Sequence, residues 1–193
     1  MTHLFRRIMG VTATAALALA LPACTPPGKA VGDTQEQEPD VAFDGLDRGD
    51  VVIGFIGSAQ PDFDRIVLQA FDASGLRTSY LSTDGVDDAQ GAAQQGVRDM
   101  AERQVAIIVV SRPDITDDTA GGWDDALGDA RGAGIPVALL NPVGELPDDT
   151  LYAAALTVND RAMDATPIDD AVMTVIDDLP HEKTMMVSTS VAD

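Results

Sequence analysis

Cysteine, histidine and aromatic residues are scarce in this sequence. Its 193 residues include one cysteine, Cys24, and two histidines, His3 and His181, and aromatic side chains make up 4% of the chain. A single cysteine excludes an intrachain disulfide, and no histidine or cysteine spacing matches a metal site. His181 stands alone in a polar turn, so neither a Ser-His-Asp nor a Cys-His arrangement can be built around it. We therefore expect no metal, no cofactor and no enzymatic activity.

Basic residues are also few. There are 12 lysines and arginines against 32 aspartates and glutamates, which gives a formal net charge of −20. A surface of this sign repels phosphates, which argues against nucleic acid as a partner and against electrostatic attraction to an anionic bilayer. The acidic residues are scattered, and no spacing matches a calcium-binding loop. They are typical of a solvated surface that keeps a protein soluble.

The N-terminal residues have the organisation of a secretory signal peptide. Arg6 and Arg7 precede an apolar or small-residue stretch, 8–21, which is shorter than the roughly 20 apolar residues of a bilayer-spanning helix. The following Leu21-Pro22-Ala23-Cys24 resembles the bacterial lipobox, although Pro22 departs from the usual residue there. The resemblance implies cleavage before Cys24 and attachment of lipid to its sulfur. The alternative is a buried or chance cysteine behind an ordinary signal peptide.

Composition divides the chain into three segments. Residues 1–23 are predicted to be the lipoprotein signal peptide, and 24–49, rich in Pro, Gly, Gln and acidic residues, a disordered tether anchored by lipid on Cys24. Residues 50–193 are long enough for one domain with a single core. Because two or more acyl chains make a stable anchor, we expect an exported protein held on the outer face of the cell membrane.

Short apolar runs alternate with helical patterns through the predicted domain. Residues 105–110 form a continuous, mostly β-branched run, which is typical of a strand buried on both faces of a parallel sheet. In 61–74 the apolar residues follow the i, i+3, i+4, i+7 spacing of a core-facing helix. This alternation predicts an α/β fold: a single doubly wound, mostly parallel sheet of about five to six strands with right-handed crossovers. The predicted strands are 51–56, 78–81, 105–110, 136–140, 152–158 and 184–188, and the predicted helices are 61–74, 87–103, 119–132 and 168–179.

Polar residues follow the predicted strands, at the edge of a parallel sheet where ligands bind. Five sequence pieces stand in order around them, namely Val52–Ile56, Asp84-Gly85, 104–110, Ser111-Arg112-Pro113-Asp114 and Ala133-Gly134-Ile135-Pro136-Val137. Together these pieces resemble the N-terminal lobe of the ribose-type periplasmic sugar-binding proteins, which is related to the effector domain of LacI-type repressors. The resemblance covers about residues 50–160 and stops after the first strand that a second lobe would have.

The resemblance implies a sugar-binding site at the carboxyl ends of the strands, made of short polar groups and an aromatic ring on which the sugar stacks. Phe63 would supply that ring, although its position also fits the core-facing stripe of its helix. Each polar candidate has an alternative role as a loop or helix-capping residue. The candidate ligand-binding residues are Ser58, Gln60, Asp62, Phe63, Asp84, Ser111, Arg112, Asp114, Asn141, Asn159 and Asp160.

Two positions depart from the family pattern. Asn141-Pro142 stands where Asp-Arg is common, and Asn159-Asp160-Arg161 lacks a following glycine. The resemblance implies a lipid-anchored solute-binding-like protein, sugar-binding for an ABC-type transport system, but with only one lobe. The alternative hypothesis is an envelope interaction or structural lipoprotein that has no small-molecule ligand. The expected partners are a small carbohydrate, a membrane transporter or envelope protein, and a second copy of the chain that restores the cleft as a homodimer.

Overall fold

A computed structural model describes residues 28–33 and 45–190. The predicted signal peptide and Cys24 lie outside these ranges. Among the described helices, none combines the length and the apolar character that crossing a bilayer requires. Most of the predicted domain and a short part of the predicted tether are thus described.

Strands alternate with helices along the chain. The helices are α1 (Pro61–Ala73), α2 (Ala89–Glu102), α3 (Ala120–Gly132) and α4 (Ile168–Ile176). The strands are β1 (Val52–Ile56), β2 (Arg77–Leu81), β3 (Ile107–Ser111), β4 (Asp114–Ile115), β5 (Val137–Leu140), β6 (Val143–Gly144), β7 (Ala154–Val158), β8 (Thr166–Pro167) and β9 (Thr184–Ser188).

Seven of these strands form one sheet in the order β2-β1-β3-β5-β7-β9-β8, and every neighbouring pair is parallel. The expected α/β fold with a single parallel sheet is therefore confirmed. The strand missing from the prediction is β8, a two-residue edge strand whose Thr166-Pro167 carries no strand pattern. The chain passes from β1 to β2 on one side and then to β3 on the other, so the strand order reverses between β1 and β3.

Helix α1 shows how the local sequence sets the bounds of an element. Pro61 occupies the first helical position, where its missing N–H needs no partner. Gly75 follows the helix with a φ of 77°, a left-handed conformation that glycine adopts without strain. Between these ends Val67 and Phe71 are buried at i, i+4 spacing and direct the helix onto the sheet.

Helices cover both faces of the sheet, with α1 and α4 on one and α2 and α3 on the other. In β3, Ile107 and Val109 pack towards the first pair of helices, and Ile108 and Val110 pack towards the second. All four side chains are fully buried, which explains the continuous apolar run in the sequence. Burial of each such side chain stabilises the fold by about 1.5–3 kcal/mol.

One described part of the predicted tether, residues 28–33, packs against the amino ends of the strands. Ala30 is only 2% exposed, and the segment shares a cavity with Ala106 and Pro136, which immediately precede β3 and β5. We call this end of the sheet, marked by Ala106, Pro136 and Lys183 before β3, β5 and β9, the base. The carboxyl ends of the strands form the opposite end of the domain.

Candidate functional site

A cleft of about 270 Å³ opens at the carboxyl ends of β1 and β3, where the strand order reverses. Ligands of open α/β sheets bind at this kind of switch point. Its walls are the loop after β1, the first turns of α2, and strands β4 and β6, which pair in parallel as a separate two-stranded sheet. The residues that line it are Gly57, Ser58, Ala59, Gln60, Thr83, Ala89, Gln90, Ala93, Ser111, Arg112, Pro113, Asp114 and Val143.

The cleft is built around a buried carboxylate, Asp64, in the first turns of α1. This side chain has no exposed surface, and it accepts hydrogen bonds from Ser58 N at 2.7 Å, Ser58 Oγ at 3.1 Å and Ser111 Oγ at 2.6 Å. Burying a carboxylate is costly unless donors satisfy it, and these donors do so. Asp64 therefore joins the loop after β1 and the end of β3 to α1.

A second set of contacts fixes the loop after β1 from the side of β2. Thr83 Oγ1 donates a hydrogen bond of 2.8 Å to the carbonyl oxygen of Gly57. A Cβ at Gly57 would lie 2.7 Å from Tyr80 ring atoms and 2.9 Å from Asp64 Oδ2, so glycine is needed there for this close packing. The loop backbone is thus held in place on both sides before any ligand binds.

The other wall carries Gln90, Arg112 and Asp114. Gln90 Oε1 accepts a hydrogen bond of 3.1 Å from Asp114 N, which links α2 to β4. Arg112 has a φ of 50°, in the left-handed region that costs a non-glycine residue about 1–2 kcal/mol. Its backbone N–H donates to Leu140 O at 2.7 Å. Such strained residues cluster at functional sites.

Of the candidates predicted from the sequence, the structure brings some into this cleft and leaves others outside it. Asp62 lies outside, because its side chain is 95% exposed and bonds Arg65 Nη2 at 3.1 Å. Phe63 is half-buried and packs against the core on the α1 side of the sheet, so it does not line the cleft. The candidates that line the cleft are Ser58, Gln60, Ser111, Arg112 and Asp114.

Asp84 and Asn141 also lie outside the cleft lining. Asp84 is exposed after β2, and its backbone N–H donates to Ser82 Oγ at 3.2 Å. Asn141 has a φ of 47° at the end of β5, and its Oδ1 accepts a 2.9 Å hydrogen bond from Val158 N. The Asn141 side chain therefore joins β5 to the end of β7.

Asn159 and Asp160 follow β7, two strands away from the cleft. Asn159 Oδ1 accepts a hydrogen bond of 3.2 Å from Arg161 N, as in a turn. Asp160 Oδ1 accepts one of 2.6 Å from Thr189 N, which fixes the chain after β9. Both side chains thus hold loops, which is the alternative role given to them in the sequence analysis.

Three polar residues of the site were not among the predicted candidates, namely Thr83 and Gln90, which line the cleft, and Asp64, which binds the lining residues Ser58 and Ser111. Asp64 could have been found, because it stands at i, i+3, i+7 spacing with the buried Val67 and Phe71. An acidic residue on the apolar face of a helix that follows a central strand is a signal for a buried polar network. Gln90 offered no such signal, because its position depends on the packing of α2 against β4.

The displaced pKa values belong to groups away from the cleft. Desolvation raises the pKa of Asp177 at the end of α4, and burial together with the hydrogen bond to Asp149 raises the pKa of Tyr152 to about 12. Both residues lie towards the base, so burial and local bonding account for them. Among the described residues, no group of three or more His, Cys, Asp or Glu side chains could hold a metal ion.

Comparisons with known proteins find solved structures whose fold is similar to part of this chain. No family model matches the sequence, and no curated protein matches it. One similar solved structure is the periplasmic binding protein component of the arabinose ABC transporter from Shewanella sp. ANA-3, bound to arabinofuranose. Its sequence is 15% identical, its TM-score is 0.46, and the match covers 72% of this chain and 56% of that chain. A Mycobacterium smegmatis protein in complex with β-D-fucofuranose is 16% identical with a TM-score of 0.47, covering 72% and 54%.

A galactofuranose-binding protein is 17% identical with a TM-score of 0.46, covering 70% of this chain and 56% of that one. The chain thus spans about half the length of each of these structures. The class of protein that the sequence resembles, the periplasmic sugar-binding proteins, is also the class to which the arabinose-binding structure belongs.

Proposed function

We propose that this chain is a lipid-anchored extracytoplasmic binding protein whose cleft holds a small polyhydroxylated ligand, such as a monosaccharide. The observation that carries the proposal is a pre-formed cleft at the switch point of the sheet, whose lining residues Ser58 and Ser111 are held by the buried carboxylate of Asp64. Pre-organised polar groups in a concave site are what small-ligand recognition requires.

Some polar groups of the cleft remain available to a ligand. Within the described part of the chain, no hydrogen bond or ion pair engages the Gln60 side chain or the Arg112 guanidinium, and Gln90 uses only its Oε1. Gln60 and Gln90 offer amide donors, and Arg112 offers a planar array of donors suited to vicinal hydroxyl groups. The strain at Arg112 is consistent with a side chain that is aimed for binding rather than for stability.

The site is small and open on one side. Its volume of about 270 Å³ lies near the lower limit of ligand pockets, and no aromatic ring is among the described residues that line it. We therefore expect weak binding by a single lobe, with a dissociation constant of about 1 mM, or about −4 kcal/mol. A second copy of the chain or a transporter subunit placed over the cleft would raise the affinity.

The test is a titration of the mature chain, with Cys24→Ser to prevent lipidation, against a panel of monosaccharides followed by amide NMR shifts. A saturable response at Ser58, Gln90 and Arg112 is expected for one class of sugar. Arg112→Gln should weaken binding about tenfold, whereas Asn159→Ala, a predicted site residue outside the cleft, should leave it unchanged. Equal effects of the two variants, or no response to any sugar, would count against the proposal.

A specific observation favours a second candidate, an envelope interaction lipoprotein without a small ligand. Apolar side chains are exposed on the loops that follow β2 and β5, since Val86, Val143 and Leu146 are 41–44% exposed, and Val143 lines the cleft itself. Such a rim suits a protein surface better than a sugar. Sedimentation of the sugar-free chain separates the hypotheses: self-association lost on Val143→Ser would favour a protein interface, including a homodimer.

Lipid attachment at Cys24 is part of the proposal and is tested separately. The mature N-terminal peptide should carry a diacylglyceryl group on Cys24, which a mass spectrum of the membrane-bound protein would reveal. Cys24→Ser should move the protein from the membrane fraction to the soluble extracytoplasmic fraction. A membrane transporter of the ABC type is the proposed partner for uptake, and its co-purification should depend on the anchored form.

A further inference from the structure

The segment 28–33 is bound at the base of the domain, at the opposite end of the sheet from the cleft. His181 Nε2 lies 2.9 Å from the carbonyl oxygen of Gly32, and Arg131 Nε donates to the carbonyl oxygen of Lys29 at 3.0 Å. Two side chains from different parts of the domain thus bind the backbone of this segment. The contacts span 149 and 102 residues of sequence, so they are tertiary contacts.

A third side chain that binds the segment is Lys183, which lies at the amino end of β9. Its Nζ donates to Asp33 Oδ1 at 3.0 Å, to Asp149 O at 2.7 Å and to Tyr152 O at 2.5 Å. It also lies 4.5 Å from the centroid of the Tyr152 ring. The Lys183 ammonium group therefore uses its three donors and a cation–π contact to tie the segment to the chain before β7.

The backbone of the segment fits the base closely at Gly32. This residue has a φ of 66°, and a Cβ built on it would lie 2.9 Å from Pro136 Cβ and 3.0 Å from Val175 Cγ1. Gly28 has a similar φ of 73°, but a Cβ there would meet nothing within 4 Å. A side chain at position 32 would lift the segment off the base, whereas one at position 28 would not.

We infer that residues 28–33 act as a strap that seats the base of the domain on the membrane and presents the cleft on the side facing away from it. The inference rests on the proposed lipidation of Cys24. Only three residues separate Cys24 from Gly28, so their Cα atoms can lie at most about 14 Å apart. Without the strap, the chain from Cys24 to Arg48 could extend about 80 Å and would leave the orientation unconstrained.

The strap has a consequence for the partner of the cleft. Each five-residue strand spans about 17 Å, and this height separates the base from the cleft. A protein embedded in the same membrane meets the base of the strapped domain, whereas a soluble molecule or another envelope component meets the cleft. Delivery of a ligand from the cleft to a transporter in that membrane therefore requires the strap to detach.

The experiment couples the mature chain through the thiol of Cys24, its only cysteine, to a maleimide lipid in neutral phosphatidylcholine vesicles. A dye is attached to an azide-bearing residue placed at Ala133, exposed at the base, or at Asp87, exposed on the cleft side. A nitroxide on the lipid headgroups quenches dyes near the surface. The base dye should be quenched several-fold more than the cleft dye.

Gly32→Ala should make the quenching of the two dyes similar, while Gly28→Ala, its control with a similar φ, should preserve the difference. Hydrogen exchange of the β3 amides shows whether each variant keeps its fold. Equal quenching of both dyes on the unsubstituted chain would overturn the inference, whatever the variants do. Because the coupling is chemical, this result is independent of natural lipidation, which the mass spectrum of the N-terminal peptide decides on its own.

Discussion

Replacement of Asp64 tests whether the buried carboxylate organises the cleft. Asp64→Ala removes the acceptor of three hydrogen bonds and leaves Ser58 N unpaired in a buried position. An unpaired buried donor costs about 1–3 kcal/mol, and the two serine hydroxyls can turn to other partners. Adding the cavity left by the side chain, we expect a loss of about 3 kcal/mol in the free energy of unfolding.

The assay is urea unfolding followed by circular dichroism, with thermal unfolding as a check. A loss of about 3 kcal/mol corresponds to a Tm lower by about 6–12 °C for a domain of this size. Asp64→Asn should lose less, about 1–2 kcal/mol, because an amide can turn its oxygen towards Ser58 N and its N–H groups towards the hydroxyls. Asp62→Ala, on the exposed side of α1, should stay within about 0.5 kcal/mol of the unsubstituted chain. If Asp64→Ala were as stable as Asp62→Ala, the carboxylate could not be holding the cleft together.

Further predictions concern glycine packing, backbone strain and pH. Gly57→Ala should lower the free energy of unfolding by about 1–3 kcal/mol because its Cβ meets Tyr80 and the Asp64 network, whereas Gly121→Ala, with open space around it, should not destabilise α3 in the same urea assay. Arg112→Gly should raise stability by relieving the left-handed strain while weakening sugar binding in calorimetry, and a variant that does neither would contradict the role given to Arg112. Because desolvation raises the pKa of Asp177 in the folded state, its charged form is disfavoured, and stability falls as the pH rises from its unfolded pKa through the folded one. Asp177→Asn should therefore be relatively more stable at pH 7 than at pH 3, and a difference in the free energy of unfolding that does not change with pH would refute this.

Elements with strong local patterns could be predicted from the sequence. The β-branched run of β3 indicated a central strand because both faces of that strand are buried, and Pro61 and Gly75 bracketed α1 because each residue restricts or frees the backbone at a helix end. The prediction of a single parallel sheet succeeded because its central strands, β1, β3 and β5, each carry a buried apolar run.

Long-range packing decided the features that the sequence did not reveal. The spacing of Asp64 on the apolar face of α1 indicates that it is buried, but it does not identify the partners, because Ser58 and Ser111 reach Asp64 only when β1 and β3 are adjacent. The segment 28–33 has the composition of a tether, and its packing against the base could not be predicted from that composition. Backbone carbonyl groups, which every residue carries, make most of its bonds to the base. Phe63 fitted both a sugar platform and the core, and only the rotation of α1 on the sheet places it against the core.

The two-residue strand β8 gives the sheet a protected edge. Its pairing with β9 involves only Thr166 and Pro167, and proline has no N–H to offer an incoming strand. Short edge strands and proline are devices by which proteins prevent edge-to-edge aggregation. Under the proposed lipid anchoring, many copies side by side on one membrane would reach a high local concentration. By covering Val187 and Ser188 at the end of β9, β8 would then shorten the edge through which neighbouring sheets could join into continuous polymers.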